Sequence, residues 1–274
     1  MKADSRSQDF GCYVIHYTPL GERRQFLEKV LSGMNVDWIT ESEVIVESYP
    51  WRNSSRVFGI SKRLIAADLG INARSLSRSR KRARYESYIY RFASLLGPRF
   101  KDTSFGSLPS IKQLPNKILE VNAMHVHALL LFLQEDYEWG LFLEDDSVFS
   151  KEGLEQVAII SKDRRRRATW INLNDGAELK RTTSEKLIDK YGLFRVKPPT
   201  TRCASAYMIN RKYAERLKDL IMVHGLPNWL PIDVMFQVAN RKMNVEAFWS
   251  DPAKFIQGSE SGIYTSNLKS LRNS

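Results

Sequence analysis

The chain has 274 residues, 43% of them apolar and 11% aromatic, and it carries 42 Lys and Arg against 31 Asp and Glu for a formal charge of +11. That much apolar surface supplies a core and excludes global disorder, while the longest apolar run, Ala128 to Leu133, falls far short of the roughly 20 residues that span a bilayer. The positive charge favours an acidic partner, whether nucleic acid, an anionic membrane surface or a phosphorylated substrate.

Residues 1–10 are polar and lack the apolar stretch of a signal peptide, so export is not expected. Cys12 and Cys203 lie far apart, each in an apolar stretch, and read as two reduced thiols of a cytoplasmic protein, with one disulfide as the alternative. Gly11 to Tyr17 is rich in β-branched and aromatic residues and predicts a strand ending at the turn Thr18-Pro19-Leu20-Gly21. Phe26, Leu27, Val30 and Leu31 then fall at helical spacing, with charged residues on the other side and Gly33 as a stop. A short second strand follows at Val36 to Ile39. Strand, helix, strand is the opening of an α/β fold with a parallel sheet.

Residues 41–115 read as a variable basic insertion, with six basic and no acidic residues between Arg74 and Arg84. Leu119, Ala123, Val126, Leu130 and Leu133 restore the repeat of a helix with one apolar stripe. Trp139 to Leu143 is an apolar run of the kind found at the centre of a parallel sheet, and it stops at Glu144-Asp145-Asp146. Beyond it the pattern predicts a helix at 154–161, a strand at 169–173, an extended segment at 204–209, a helix at 212–222 and a strand at 245–249. Residues 258–274 read as a loose, serine-rich tail. The whole, 1–274, reads as one α/β domain with a mostly parallel sheet flanked by helices.

Three consecutive acids repel one another, which the end of a buried strand tolerates if a cation or water reaches them. The carboxyl edge of an α/β sheet is where ligands bind, and strand alternation points Glu144 and Asp146 one way and Asp145 the other. Two hard carboxylates suit Mg²⁺ or Mn²⁺, whose remaining sites are filled by water and substrate phosphate. A polar strand-end loop is the alternative.

Phe142-Leu-Glu-Asp-Asp146 resembles the strand and DxD-type motif of metal-dependent GT-A glycosyltransferases, a Rossmann-related fold. The nearest resemblance is to glycosyltransferase family 25, the lipopolysaccharide and collagen-type sugar transferases. His125, nineteen positions before Glu144, matches that family's helix histidine, although Met124 stands where the family has Ser. Val14-Ile15 with Glu22-Arg23-Arg24, Ala206-Tyr-Met-Ile209 with Ala214, and Pro231-Ile-Asp233 resemble three further family segments. His16 and Tyr17 depart from its usual Asn-Leu.

The resemblance implies inverting transfer of a sugar from a nucleotide donor, a UDP-sugar first, to a carbohydrate or lipid-linked hydroxyl. It implies Asp146 as metal ligand and Glu144 at the metal water or donor ribose. Asp145 would orient them, and Arg23 or Arg24 would lie near the nucleotide or stand as exposed helix arginines. The acceptor hydroxyl needs a general base; Asp233 is the first candidate and Asp175 the reserve, while His125 reads more simply as a packed helix histidine. The basic runs at 74–84 and 162–167 lack the interleaved aromatics that stack bases and suit solvated faces or docking to an anionic membrane leaflet. A metal-dependent nucleotidyl- or phosphotransferase using the same acids, and a basic nucleic-acid-binding protein, are the rival readings.

Overall fold

The computed structural model of the chain describes residues 9–52, 56–61, 116–175, 189–196, 199 and 201–264. In chain order the elements are β1 (Gly11–His16), α1 (Gly21–Val30), β2 (Asp37–Thr40), β3 (Trp51–Arg52), β4 (Arg56–Val57), β5 (Ile60–Ser61), α2 (Asn116–Gln134), β6 (Trp139–Glu144) and β7 (Ser147–Phe149). They continue with α3 (Lys151–Ile160), β8 (Thr169–Asn172), β9 (Leu193–Val196), β10 (Ala206–Asn210), α4 (Arg211–His224), β11 (Leu226–Pro227), α5 (Ile232–Lys242), β12 (Glu246–Ser250), β13 (Phe255–Gln257) and α6 (Gly258–Ser261).

Seven strands form one sheet in the order β2-β1-β6-β10-β8-β12-β9. Strands β2, β1, β6, β8 and β12 run in one direction, and β10 and β9 run against them. The sheet is therefore mixed in pairing and mostly parallel in direction. Alternation along each strand feeds two cores. On one face Tyr13, Phe142, Tyr207 and Trp170 pack with residues of α2, α4 and α5; on the other Val14, Leu141, Leu143 and Met208 pack with Leu27 of α1, Leu31 just after it, and Val157 and Ile160 of α3. Both faces are covered, so the central strands are apolar throughout, as their sequence required.

Rings from four adjacent strands stack across the first face. Tyr13 lies 5.1 Å from Phe142, Phe142 lies 5.0 Å from Tyr207 at 3°, and Tyr207 lies 4.3 Å from Trp170 at 16°. Gly11 and Gly140, paired in register, make room for this layer: a Cβ at Gly11 would come within 2.6 Å of the Tyr13 hydroxyl and one at Gly140 within 2.7 Å of the Phe142 ring.

Helix α5 is absent from the pattern read in the sequence. Asp233, Gln237, Asn240 and Arg241 recur at helical spacing and form a polar stripe, but residues 234–240 are all buried, so most of that stripe lies inside the fold and not on solvent. The short edge strand β9 was also not marked. Residues 258–264, read as the start of a loose tail, form α6 and a turn in which the Tyr264 amide donates to the Gly258 carbonyl. Both cysteines are free, and burial pushes the Cys12 thiol up to about 12. Among the described residues no helix is long and apolar enough to cross a membrane.

Phe142 touches rings from both neighbouring strands, so Phe142→Ala is expected to cost about 3–5 kcal/mol. The urea midpoint at neutral pH measures it; a loss below about 1 kcal/mol would show that the ring layer does not hold the sheet.

Candidate active site

From β1 the chain passes through α1 to β2 on one side, and later through α2 to β6 on the other. Right-handed crossovers in opposite directions place the helices on opposite faces, and they open a crevice at the carboxyl ends of β1 and β6. His16 ends β1 and Glu144 ends β6, and Asp145 and Asp146 form the turn from β6 into β7. The acids thus stand where the direction of winding reverses.

The three carboxylates have different surroundings. Asp145 is buried and turned toward α1. Its Oδ1 accepts from Arg23 Nη1 at 2.7 Å, and its Oδ2 accepts from the Tyr17 amide at 3.0 Å and from His16 Nδ1 at 3.2 Å. Asp145 and Arg23, two residues predicted for nucleotide binding, are brought together and hold each other. Arg24 diverges from them, pairing with Glu28 at 2.8 Å and lying over Trp38 at 4.6 Å.

Glu144 faces α2, its side chain 24% exposed, and its Oε1 lies 3.2 Å from His125 Nε2. Burial pulls the His125 pKa down to about 3 against the upward pull of Asp233, so the imidazole is neutral. A neutral imidazole carries one N–H and a carboxylate only accepts, so Nε2–H donates to Glu144. Nδ1 then accepts from Tyr207 Oη at 2.9 Å, and burial keeps that phenol protonated by raising its pKa well above the ordinary value. Tyr207 and His125 form a relay that fixes the Glu144 carboxylate. The Glu144 amide donates to the Ser205 carbonyl at 2.8 Å, as does the Ser147 hydroxyl.

Asp146 is 4% exposed. Ser259 Oγ of α6 donates to its Oδ2, and the Gly258 amide donates to its carbonyl at 2.8 Å. Its Oδ1 is buried with no hydrogen-bond partner among the described residues. Burial pushes the Asp146 carboxyl up to about 6; the Glu144 carboxylate adds to the rise and the Ser259 hydroxyl opposes it. Among the described residues no group of three or more His, Cys, Asp and Glu is disposed to hold a metal by itself. Two carboxylates with one orphaned oxygen nevertheless fit Mg²⁺ or Mn²⁺, which keep most of their shell for water and phosphate.

Asp233 lies in the first turn of α5, where Oδ1 accepts from the Val234 amide at 2.8 Å and the backbone carbonyl accepts from Thr201 Oγ1 at 2.9 Å. It is near enough to act on the charge of His125. Asp175 is exposed beyond the end of β8. The basic run at 74–84 lies outside the described residues. Within 162–167, Arg165 pairs with Asp163 at 2.8 Å and Asp189 at 2.9 Å and covers the Phe248 ring at 4.1 Å, so it is a structural cation. Sequence reasoning missed Tyr207, Ser205 and Ser259, none of which carries a charge that would draw attention. No protein-family model matches the chain, and no curated protein matches it in sequence.

The buried Asp146 sets a pH dependence. An acid whose pKa is higher in the folded state than in the unfolded one binds its proton more tightly when folded, so stability falls as pH rises from 3.8 through about 6. Asp146→Asn keeps an acceptor for Ser259 and removes the charge. It is expected to raise stability at pH 7 by about 2–3 kcal/mol and to flatten the pH 4–6 slope relative to wild type. Denaturant unfolding across that range checks this; parallel curves would mean that Asp146 is solvated.

Proposed function

We propose that the chain is a metal-dependent glycosyltransferase of GT-A type, similar to family 25, that moves a sugar from a nucleotide donor to a carbohydrate or lipid-linked hydroxyl. The observation that carries this reading is the buried, half-partnered Asp146 carboxylate beside Glu144 at the switch point of the sheet. The order and spacing of the family-like motifs in the sequence support it. A UDP-sugar is the donor class that the resemblance favours. Contact with an anionic membrane leaflet on the cytoplasmic side fits the positive charge and a lipid-linked acceptor.

Asp146 and Glu144 would hold Mn²⁺ or Mg²⁺, which as a Lewis acid stabilises the negative charge of the departing nucleoside diphosphate. Tyr207 and His125 keep Glu144 aimed by hydrogen bonds that need no charge on the imidazole. Arg23 neutralises Asp145, so this turn does not present a third carboxylate to a polyanionic ligand. Asp233 is the candidate that takes the proton of the acceptor hydroxyl, with Asp175 in reserve, and transfer proceeds with inversion. Formation of free nucleoside diphosphate, and not pyrophosphate, separates this reaction from nucleotidyl transfer.

A thermal-shift panel of nucleotide sugars with and without Mn²⁺ tests the proposal. One UDP-sugar is expected to stabilise the wild type only with metal, and Asp146→Asn to lose that response; indifference to every donor contradicts it. Tyr207→Phe, which removes only the relay hydroxyl, is expected to lower kcat by about 10- to 100-fold. The donor KM should change far less, because the hydroxyl touches His125; unchanged turnover would show that the relay does not act on Glu144.

A further inference from the structure

A second charged group at the same edge of the sheet is not accounted for by the acids. Arg202 is 8% exposed, and its guanidinium lies over the Trp249 ring of β12 at 4.3 Å from the centroid. Its Nη1 donates to the Asn174 carbonyl at 3.0 Å, while its buried Nε has no acceptor among the described residues. None of the ion pairs among those residues includes Arg202; Asp251 and Asp175 act on its charge from farther off, and burial pulls its pKa down to about 10. A guanidinium presents five N–H donors in one plane, and burying it with the Nε donor unmet and no carboxylate paired to it among the described residues is unfavourable. The backbone is anchored here by the Arg202 amide on Asn172 Oδ1 at 3.1 Å, so the guanidinium is not needed to fix the chain at this position.

The position of Arg202 separates it from the metal acids. β10 lies between β6 and β8, and β12 is one strand farther, so the end of β8 stands roughly 10 Å from that of β6. A sugar spanning the two would lie over residues 203–205, which enter β10 there and bond to both strand ends. The two places are nonetheless joined by one buried network: Asn174 Nδ2 donates to Ser205 Oγ at 2.6 Å, and the Ser205 carbonyl receives the Glu144 amide.

We infer that Arg202 anchors a second anion subsite, which takes a carboxylate or phosphate substituent carried by a substrate on the far side of the transferred sugar from the diphosphate. The assignment of sides rests on the donor-binding reading of Glu144 and Asp146. An oxyanion at the Nε edge of the planar guanidinium would be met by hydrogen bonds from that edge, and it would supply the counter-charge that no ion pair among the described residues gives Arg202. The substrate is thus itself acidic: either the sugar of the donor or the acceptor glycan bears the anion.

The test uses calorimetry on wild type, Arg202→Gln and Arg202→Lys with three probes: inorganic phosphate without metal, and UDP-glucose and UDP-glucuronate each with Mn²⁺. Phosphate is expected to bind wild type and to bind Arg202→Gln at least about tenfold more weakly. Arg202→Lys, a point charge without the fork, should fall between them and decides the matter if the Gln variant does not fold. UDP-glucose should bind the variants as it binds wild type. A preference of wild type alone for UDP-glucuronate over UDP-glucose assigns the anion to the donor sugar; equal binding of the two, with phosphate still dependent on Arg202, assigns it to the acceptor. Phosphate affinity unaltered in the variants, no phosphate binding to wild type, or loss of UDP-glucose binding on substituting Arg202 overturns the inference. Failure of wild type to bind UDP-glucose with Mn²⁺ sinks the glycosyltransferase reading instead, and the phosphate arm still reads Arg202.

Discussion

The turn at the end of β6 must hold two carboxylates close together while removing one of them from water. Asp145 raises no such difficulty, because Arg23, His16 and the Tyr17 amide meet its oxygens. Asp146 is different: it is buried, has a single side-chain donor, Ser259, among the described residues, and feels the charge of Glu144. Such an arrangement is unfavourable on its own and becomes favourable when a divalent cation neutralises both acids. Glu144, partly exposed, opens that place to the solvent from which the cation and its ligand would come.

The surrounding structure serves to keep those carboxylates in place. The ring layer from Tyr13 to Trp170 includes Tyr207, whose hydroxyl projects from the apolar core to His125, and His125 in turn reaches Glu144. Core packing is therefore transmitted to the Glu144 carboxylate through two hydrogen bonds with neutral donors, which a buried, uncharged imidazole allows. On the opposite face α1 supplies Arg23 to Asp145, and from the far end of the chain α6 supplies Ser259 to Asp146. Antiparallel β10 brings Ser205 to the same edge, where its carbonyl fixes the Glu144 amide and the Ser147 hydroxyl.

Much of this was legible in the residues. β6 and α2 could be read because an apolar run between charged ends and a single stripe at helical spacing each have one physical explanation, and the position of the acids followed from them. α5 was legible in the same way, since Asp233, Gln237, Asn240 and Arg241 recur at helical spacing, although only its Pro231-Ile-Asp233 start stands out as a motif. Arg23 and Arg24 are adjacent and chemically identical in sequence; the helix turn that buries one and exposes the other decides between them. Alternation assigned Asp145 to the opposite side from Glu144 correctly, but residues 145–146 leave the strand for a turn, so the direction of Asp146 depends on the contact with α6. Ser259 lies 113 residues from its partner, in a stretch whose composition suggests a tail. Contacts of that range leave no local pattern in the sequence.

The central claim is that Glu144 and Asp146 together hold a divalent cation beside a diphosphate. Electron paramagnetic resonance of free Mn²⁺, titrated with the protein in the presence of UDP, tests it most directly. The account predicts that wild-type protein removes the free-ion signal and that substitution of Asp146 by Asn restores it. A signal that persists with wild type, or is removed equally by the substituted protein, contradicts it.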